Sequence, residues 1–529
     1  MRSILILGAG VMQLPAIRAA HRLGLRVIVA DGNTSAVGRK EADEFLHIDL
    51  KDHEAMADAA VKLKKTRELA AVFTAGTDFS ATVAYAAAAA GLPATPYESA
   101  VAATDKYKMR ALLRSEGVRV PDFVVVSADE LAFGLPSRVT AIALPVVVKP
   151  ADSMGSRGVV RADRWDDALG FARTAATFSR TSRVVIEGFI DGPEFSLDAL
   201  VYDESVQITG FADRHIGFSP YFIEAGHTIP TALEASERER VEQEFIRGIR
   251  ALGLGPGCAK GDMKLSSNGP VVGEIANRLS GGYMSGWTYP MSSGVALTEL
   301  GIRVALGEIP GAVRETRGWT SAERAVISID GVVAGFLGEP EARDGELVEQ
   351  LFVTCSPGDV VRFPQSNVEK CGNVIAAAPT REQAVDAAER AVSHIVVRLA
   401  KNHNSTNSFL FESGGGHDSE LPSGHWAFHE TARSLAGDVP GVLSFHGNLT
   451  PSEARGDVYR IPAAAIRSGE RDWSYRTVGE TLELLQKYHA VRYAETDGEI
   501  AGPDSRSFLR ALLRGGLQGA LYVLDTFAC

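Results

Sequence analysis

Apolar and amphipathic stretches alternate along the first hundred residues. Continuous apolar runs predict strands, and stretches with apolar positions three to four residues apart predict helices. The strands are predicted at 4–7, 26–30 and 70–73, and the helices at 15–23 and 55–64. Strands that alternate with helices along a chain favour a parallel sheet covered by helices.

The turn after the first predicted strand carries candidate chemistry. It reads Gly8-Ala9-Gly10-Val11-Met12-Gln13, and Asp31 ends the second strand pattern. This arrangement is similar to a dinucleotide-binding turn, although Gln13 stands where a third glycine is expected. Tight strand-to-helix turns of this kind are common. We therefore favour a Rossmann-like turn that lines another site over NAD binding.

A hairpin further along is the most informative pattern. Two short strand patterns flank Asn268-Gly269, a pair of residues typical of a tight hairpin turn. Pairing around this turn brings Asp262 and Glu274 to one face, and two facing carboxylates suit Mg²⁺. Arg278 follows Glu274 closely and is placed to hold an anion. On this segment alone, an ordinary surface hairpin with solvated acids stays open.

Three upstream segments add basic side chains and further acids. Asp105 caps a predicted helix that carries Lys106 in its first turn. An apolar strand ends at Lys149, and the small residues of 151–158 form a loop whose N–H groups can approach phosphate. The segment 183–196 places two acids around a turn. Each segment also has a simpler interpretation, namely a solvated lysine, a plain hairpin tip, or exposed acids beside a turn.

Composition narrows the function classes. A chain of 529 residues predicts three to four domains, and the net charge of −12 argues against non-specific nucleic-acid binding. We find no run of 18 apolar residues, so we expect no membrane span. The four cysteines show no metal or redox spacing and are expected to be reduced thiols in a cytoplasmic protein.

Taken together, the segments occur in the order seen in ATP-grasp enzymes. Lys106 precedes a helix, Lys149 precedes the glycine-containing loop, IEGFIDGPEFS occupies 186–196, and GEIANRLSGG occupies 273–282. Over residues 1–400 the chain resembles the carboxylate–amine ligase branch, close to L-amino-acid ligases and purine-pathway carboxylases. The resemblance implies ATP, two Mg²⁺ ions (or Mn²⁺) and an acyl-phosphate intermediate.

The resemblance also implies an α/β and α+β multidomain fold. The expected parts are a Rossmann-like domain (1–100), a two-subdomain ATP-grasp core (101–315) and a small β-rich α+β domain (316–401). A Gly/Ser-rich linker (402–424) and an extra C-terminal domain of unknown fold and role (425–529) are expected to follow. For the last domain, substrate binding, capping of the site and self-association as a homodimer all stay open.

Site residues carry over from the family position by position. The resemblance assigns ATP contacts to Lys106, Lys149, Gly155, Ser156, Gly158, Glu187, Phe189 and Glu194. It assigns metal contacts to Asp262, Glu274 and Asn277, and catalytic roles to Arg278, His227 and Glu224. Many members have Asn where this chain has Ala276, which places the role of the next residue, Asn277, in doubt.

The first hypothesis is therefore an ATP-dependent ligase that joins a small-molecule carboxylate to an amine, with amino-acid-like substrates. No nucleic-acid or membrane partner is expected. Three alternatives stay open: an ATP-grasp carboxylase or phosphoribosyl-type ligase, a non-catalytic nucleotide-binding regulatory protein, and a dinucleotide-dependent oxidoreductase. Phosphate release in the presence of carboxylates and amines distinguishes the first hypothesis from a regulatory protein.

Overall fold

The computed structural model describes residues 1–412, 424–435, 458–489, 492–497, 500 and 503–527. The chain divides into two compact units, one comprising residues 1–322 and 377–381 and the other comprising residues 323–376 and 382–529. Residues 413–423 of the expected linker and several stretches of the expected C-terminal domain lie outside the described residues.

The first unit begins with a parallel sheet. Its elements are β1 (Ser3–Leu7), α1 (Leu14–Arg22), β2 (Arg26–Asp31), β3 (Glu44–His47), α2 (His53–Thr66), β4 (Leu69–Phe73), α3 (Ser80–Ala89) and α4 (Tyr97–Ala102). The strand order is β3-β2-β1-β4, and every pair is parallel. All five residues of β1 are buried because helices cover both faces, which explains the unbroken apolar run. The Rossmann-like prediction is confirmed.

An antiparallel sheet follows. Its elements are α5 (Lys106–Ser115), β5 (Phe123–Ser127), α6 (Ala128–Ala132), α7 (Ser137–Thr140), β6 (Val146–Pro150), β7 (Val160–Ala162), α8 (Trp165–Phe178) and β8 (Arg183–Gly188). The strand order is β5-β8-β6-β7. The alanines of α8 recur at helical spacing and pack against Val148 and Ile186 in one core. This packing fixes the strand end that carries Lys149.

The third part of the first unit contains the hairpin. Its elements are β9 (Glu194–Tyr202), β10 (Ser205–Gly217), β11 (Ile223–Ile229), α9 (Ala235–Ala251), β12 (Gly257–Ser266), β13 (Gly269–Ala276), α10 (Tyr289–Ser293) and α11 (Leu297–Ala305), with a π-helix at Met284–Thr288. Five strands run in the order β13-β12-β9-β10-β11, and their pairs are antiparallel. Helix α9 covers one face through Val241, Phe245 and Ile249. On the opposite face, Leu200 and Cys258 pack against α11, and polar side chains occupy the rest of that face on strands β9 and β12.

The second unit contains smaller sheets and helices. Its elements are β14 (Thr320–Val326, which begins in the first unit), β15 (Gly331–Leu337), α12 (Glu339–Arg343), β16 (Val348–Val353), β17 (Val360–Val361), β18 (Gly372–Ala378), α13 (Arg381–His394), β19 (Val396–Leu399), α14 (Asn404–Phe411), α15 (His429–Leu435), β20 (Val458–Pro462), α16 (Ala463–Ile466), α17 (Val478–His489), β21 (Arg492–Thr496) and α18 (Pro503–Phe527). Strands β17, β15 and β19 form one sheet, and β20 pairs with β21 in parallel.

The C-terminal residues are closely bound to the rest of this unit. Part of the segment expected to be a linker forms α14, because its apolar residues Leu410 and Phe411 are buried. From α18, Gln518 Nε2 donates to Val397 O at 2.8 Å and to Ser328 Oγ at 2.9 Å. Arg476 donates to backbone carbonyls at the end of α13. The described tail therefore shares one compact unit with residues 323–376.

Candidate active site

The β12–β13 hairpin brings the two expected metal acids together. Asp262 and Glu274 are direct cross-strand partners, so their side chains share one face. The register shifts next to this pair, which leaves Gly273 as a bulge. A Cβ atom at Gly273 would lie 2.8 Å from the Asp262 carbonyl oxygen, so the close approach of the two strands requires glycine there.

Two expected phosphate-binding lysines lie beside this hairpin. Lys106 Nζ is 3.3 Å from Glu274 Oε2 and donates to Ser153 O at 2.7 Å. Lys149 Nζ contacts Glu187 Oε1, and Arg110 Nε is 3.1 Å from the other oxygen of Glu187. The guanidinium of Arg110 also donates to the carbonyl of the bulge residue, Gly273, at 2.5 Å. These contacts connect α5, β6, β8 and β13 into one charged centre.

Burial and neighbouring charges shift the ionisation of this centre. Burial lowers the pKa of Lys149 to about 8, although Glu187 opposes the shift. Burial alone would raise the pKa of Glu187, but Arg110 and Lys149 hold it below its usual value. Burial would likewise raise the pKa of Glu274, but Lys106, Lys260 and Arg278 hold it far below its usual range. Both acids are therefore carboxylates at neutral pH.

The expected phosphate loop has an unusual backbone. Gly155, Ser156 and Gly158 have φ angles of 66°, 58° and 70°, in the left-handed region. A Cβ atom at Gly158 would lie 2.8 Å from the ring of Phe178. The loop carbonyl that receives Lys106 belongs to Ser153, so the lysine ties the loop to the hairpin.

A cavity of about 400 Å³ lies next to the charged centre. Phe189, Glu194, Arg214, Phe222 and Lys264 are among its lining residues. The sequence resemblance assigned Phe189 a contact through backbone atoms. The structure shows its N–H donating to Pro145 O at 3.0 Å, and the Phe189 ring lies beside Arg161 and Lys264, which also line the cavity. This ring lies 5.0 Å from Lys264 Nζ.

Arg214 on β10 joins three acids that were expected to have separate roles. Its guanidinium lies 2.5 Å from Glu194, 2.8 Å from Glu224 and 3.0 Å from Asp262. Burial alone would lower the pKa of Arg214, but the three carboxylates raise it well above its usual value. Each acid comes from a different strand, so the sheet places the expected ribose, substrate and metal acids around one cation.

The expected substrate residues lie at the end of this cluster. His227 is fully buried, with Nδ1 3.7 Å from Glu224 Oε1 and Nε2 2.7 Å from Thr288 Oγ1. Arg278 is nearly buried, and its guanidinium lies 3.1 Å from Asp78 at the end of the N-terminal sheet. The structure thus brings Glu224 and His227 together and pairs Arg278 with an acid that the sequence analysis did not select.

Asn277 is not placed beside the two metal acids. It lies beyond the last residue of β13, and its Oδ1 accepts a hydrogen bond of 2.9 Å from Thr95. A Cβ atom at Gly257, the first residue of β12 and five residues before Asp262, would lie 3.9 Å from the same Oδ1. Among the residues that the structure describes, no group of three or more Asp, Glu, His or Cys side chains is placed to hold a metal ion. A cation at Asp262 and Glu274 would take its other ligands from phosphate and water.

The dinucleotide-like turn contacts its own surroundings. Asp31 Oδ2 accepts from Ala9 N at 2.7 Å, within the glycine turn. Gln13 is buried, and its Oε1 accepts from Ala75 N at 3.1 Å. Gln13, which stands where a third glycine was expected, therefore anchors the loop after β4, next to Thr74 and Gly76. The same loop leads to Asp78.

Sequence reasoning missed four side chains of this centre: Asp78, Arg110, Arg214 and Lys260. Two of them had a local signal. Arg110 lies one helical turn after Lys106, and Lys260 lies two strand positions before Asp262, on the same face. Asp78 and Arg214 reach the centre through contacts between distant segments, for which the sequence offers no signal.

Three family models match this chain. They are an ATP-grasp N-terminal domain at residues 17–94, an ATP-grasp domain at 103–282 and an L-amino acid ligase C-terminal domain 2 at 310–400. Among the helices that the structure describes, none is long and apolar enough to cross a membrane.

Sequence relatives match different shares of the chain. Uncharacterized protein y4rH of Sinorhizobium fredii is 27% identical over 388 residues, which are 72% of this chain and 79% of the relative. D-alanine–D-alanine ligase of Corynebacterium jeikeium is 28% identical over 194 residues, or 34% of this chain. That alignment covers 49%, about half, of the ligase.

Solved structures show the same fold. L-amino acid ligase from Bacillus licheniformis has a TM-score of 0.66 at 21% identity, covering 75% of this chain and 99% of that one. Phosphoribosylglycinamide synthetase from Anaerococcus prevotii has a TM-score of 0.59 at 21% identity, covering 76% of this chain and 100% of that one. Residues 17–94 and 103–282 therefore match ATP-grasp domains, and the solved structures share the fold over about three quarters of the chain.

Proposed function

We propose that this chain is an ATP-dependent ligase that joins a carboxylate to an amine. The carboxylate attacks the γ-phosphorus of ATP and forms an acyl phosphate, and ADP leaves. The amine then attacks the acyl carbon, and phosphate leaves. The observation that carries this proposal is the meeting of Lys106 and Lys149 with Asp262, Glu274 and the 153–158 loop in one buried centre.

Phosphoryl transfer between two anions requires positive charge at the site of reaction. Lys106 and Lys149 would hold phosphate oxygens of ATP, and Arg278 would hold the acyl oxygen of the substrate. Asp262 and Glu274 would hold Mg²⁺, which when bound neutralises phosphate charge and stabilises the transition state. Preorganised charge in a buried site acts more strongly than the same charge in water.

The 400 Å³ cavity suits the nucleoside of ATP. Glu194 would accept hydrogen bonds from the ribose hydroxyls, and the Phe189 ring would form part of the adenine wall. Glu187 is occupied by Lys149 and Arg110, so its proposed part is to orient Lys149 for the phosphates. Gly155, Ser156 and Gly158 would cover the phosphates and keep water from the acyl phosphate.

The amine must lose a proton when it attacks. Glu224 would accept that proton, because it lies at the substrate end of the Arg214 cluster. His227 is fully buried against Thr288, so its proposed part is to orient Glu224. The likeness to L-amino acid and D-alanine–D-alanine ligases supports amino-acid-like substrates. The need for ATP supports a cytoplasmic location.

A screen for condensation products tests the proposal. The full chain would be incubated with ATP, Mg²⁺ and pairs of carboxylates and amines, and products would be detected by mass spectrometry together with released phosphate. We expect product formation that depends on both substrates and is lost in Glu274→Ala. Nucleotide binding without phosphate release from any pair would instead support a regulatory protein, and bicarbonate-dependent release would support a carboxylase.

A further inference from the structure

A lysine occupies the metal face of the hairpin. Lys260 lies on β12 two residues before Asp262, so both side chains point to the same face of the sheet. Its Nζ contacts Asp262 Oδ2, and its side chain is only 12% exposed. In the register of the sheet, Lys260 pairs with Ala276 on β13 and with Asp198 on β9.

Asp262 is therefore held by two cations of the protein. Lys260 contacts one carboxylate oxygen, and Arg214 Nη1 lies 3.0 Å from the other. Asp198, on the other side of Lys260, accepts from the backbone N–H of Ser280 at 2.8 Å and from its hydroxyl. The ammonium of Lys260 thus lies among acids, and Asp262 is the acid that it contacts.

The strand opposite Lys260 offers few metal ligands. Glu274 faces Asp262, but Ala276 faces Lys260 and has no ligand atom. The Oδ1 atom of Asn277 accepts from Thr95, near the first residue of β12. The face of the hairpin therefore presents one pair of acids and, directly beside it, an ammonium group opposite a methyl group.

We propose that Lys260 takes the place of one of two divalent cations, so that this chain binds ATP with a single Mg²⁺. The inference rests on the proposed function. Paired metal ions in phosphoryl-transfer sites lie about 3.5–4 Å apart and share carboxylate ligands. An ammonium that contacts Asp262 already supplies positive charge where the second ion would lie, and like charges at this distance repel.

Counting bound Mn²⁺ tests the inference without measuring activity. Mn²⁺ replaces Mg²⁺ in such sites, and its free concentration can be read by electron paramagnetic resonance. The full chain would be saturated with a non-hydrolysable ATP analogue and titrated with Mn²⁺. We expect one tightly bound Mn²⁺ per bound analogue in the unaltered chain. Two would overturn the inference.

Variants of Lys260 test the cause. Lys260→Asn removes the charge and adds an amide oxygen, so we expect the count to rise to two. Lys260→Arg keeps the charge, so we expect one bound Mn²⁺ in this variant. Lys264→Gln is the matched control, because Lys264 lies on the same strand and face but contacts Glu194 at 3.7 Å. We expect this variant to weaken binding of the analogue and to keep the count at one.

The outcomes separate this inference from the proposed function. A count of one in both the unaltered chain and a folded Lys260→Asn variant would show that Lys260 does not exclude a second ion. If Lys260→Asn does not fold, the inference is decided by the number of Mn²⁺ ions bound to the unaltered chain and to Lys260→Arg, where one supports it and two overturn it. If the analogue does not bind at all, the proposed function fails and the inference fails with it. Binding with two Mn²⁺ refutes the inference alone.

Discussion

In the protein without bound ATP, raising the pH should neutralise the side chain of Lys149. Its side chain is almost fully buried, and burial lowers its pKa from 10.5 to about 8. This value includes smaller lowering effects of Arg110 and Lys106 and the opposing effect of Glu187. A pKa lowered this far amounts to about 3 kcal/mol against the charged form of Lys149. The free protein therefore holds an ammonium at pH 7 that is largely lost at pH 9.

Binding of a triphosphate should reverse this shift. Phosphate oxygens beside Lys149 favour the ammonium, so the pKa rises in the complex and binding takes up a proton. With a pKa of about 8, the neutral fraction of Lys149 in the free protein is about one tenth at pH 7, one half at pH 8 and nine tenths at pH 9. Proton uptake should follow these fractions, and affinity should weaken above pH 8, by about tenfold per pH unit at most.

Isothermal titration calorimetry measures this uptake directly. The observed heat of binding of a non-hydrolysable ATP analogue changes with the ionisation enthalpy of the buffer, and the slope is the number of protons exchanged. Lys149→Met should abolish the pH-dependent part of this proton uptake. Glu187→Gln removes the carboxylate that keeps the pKa of Lys149 from falling further. The pH at which proton uptake is half-maximal should therefore move below 8 in this variant. Equal uptake at pH 7 and pH 9 in the unaltered chain would refute the reasoning.

Three further predictions concern the hairpin. Glu274→Ala should lower ATP-dependent phosphate release on the order of 10²–10³-fold, whereas the matched surface variant Arg303→Gln should leave it unchanged; equal rates in both would contradict the proposed site. Gly273→Ala places a Cβ atom 2.8 Å from the carbonyl oxygen of Asp262, so it should weaken nucleotide binding in calorimetry and lower Tm in a thermal melt. Asn277→Ala should leave the Mg²⁺ concentration for half-maximal phosphate release unchanged, since the Oδ1 of Asn277 accepts a hydrogen bond from Thr95; a tenfold increase would show that Asn277 contributes to the metal site.

Local patterns predicted the parts of the fold that depend on neighbouring residues. Strand alternation and the Asn268-Gly269 turn predicted that Asp262 and Glu274 share a face, and the observed register confirms it. The continuous apolar run from Ile4 to Leu7 belongs to a strand that is buried on both faces. These features follow from periodicity and turn chemistry, which a short stretch of sequence contains completely.

Contacts between distant segments were not predictable in the same way. Arg214 meets acids on three other strands, and its position depends on the order of the sheet rather than on its neighbours in sequence. The backbone N–H of Phe189 is used by Pro145, which only the packing of β6 against β8 reveals. The polar composition at 402–424 suggested a linker, but the few apolar residues of α14 suffice to bury one side of a helix.

The charge pairing of the centre indicates how it could accept ligands. Glu274 is paired with Lys106, Glu187 with Lys149, and Asp262 with Lys260. Removing one partner from a buried ion pair costs about 3–5 kcal/mol, because the other charge is left uncompensated. A triphosphate that carries its divalent cation brings charges of both signs, so Lys106 can turn to phosphate while Glu274 gains a new cationic partner. A free triphosphate would leave Glu274 uncompensated, and a free cation would leave Lys106 beside a second positive charge. Nucleotide and cation are therefore each expected to bind more tightly together than alone.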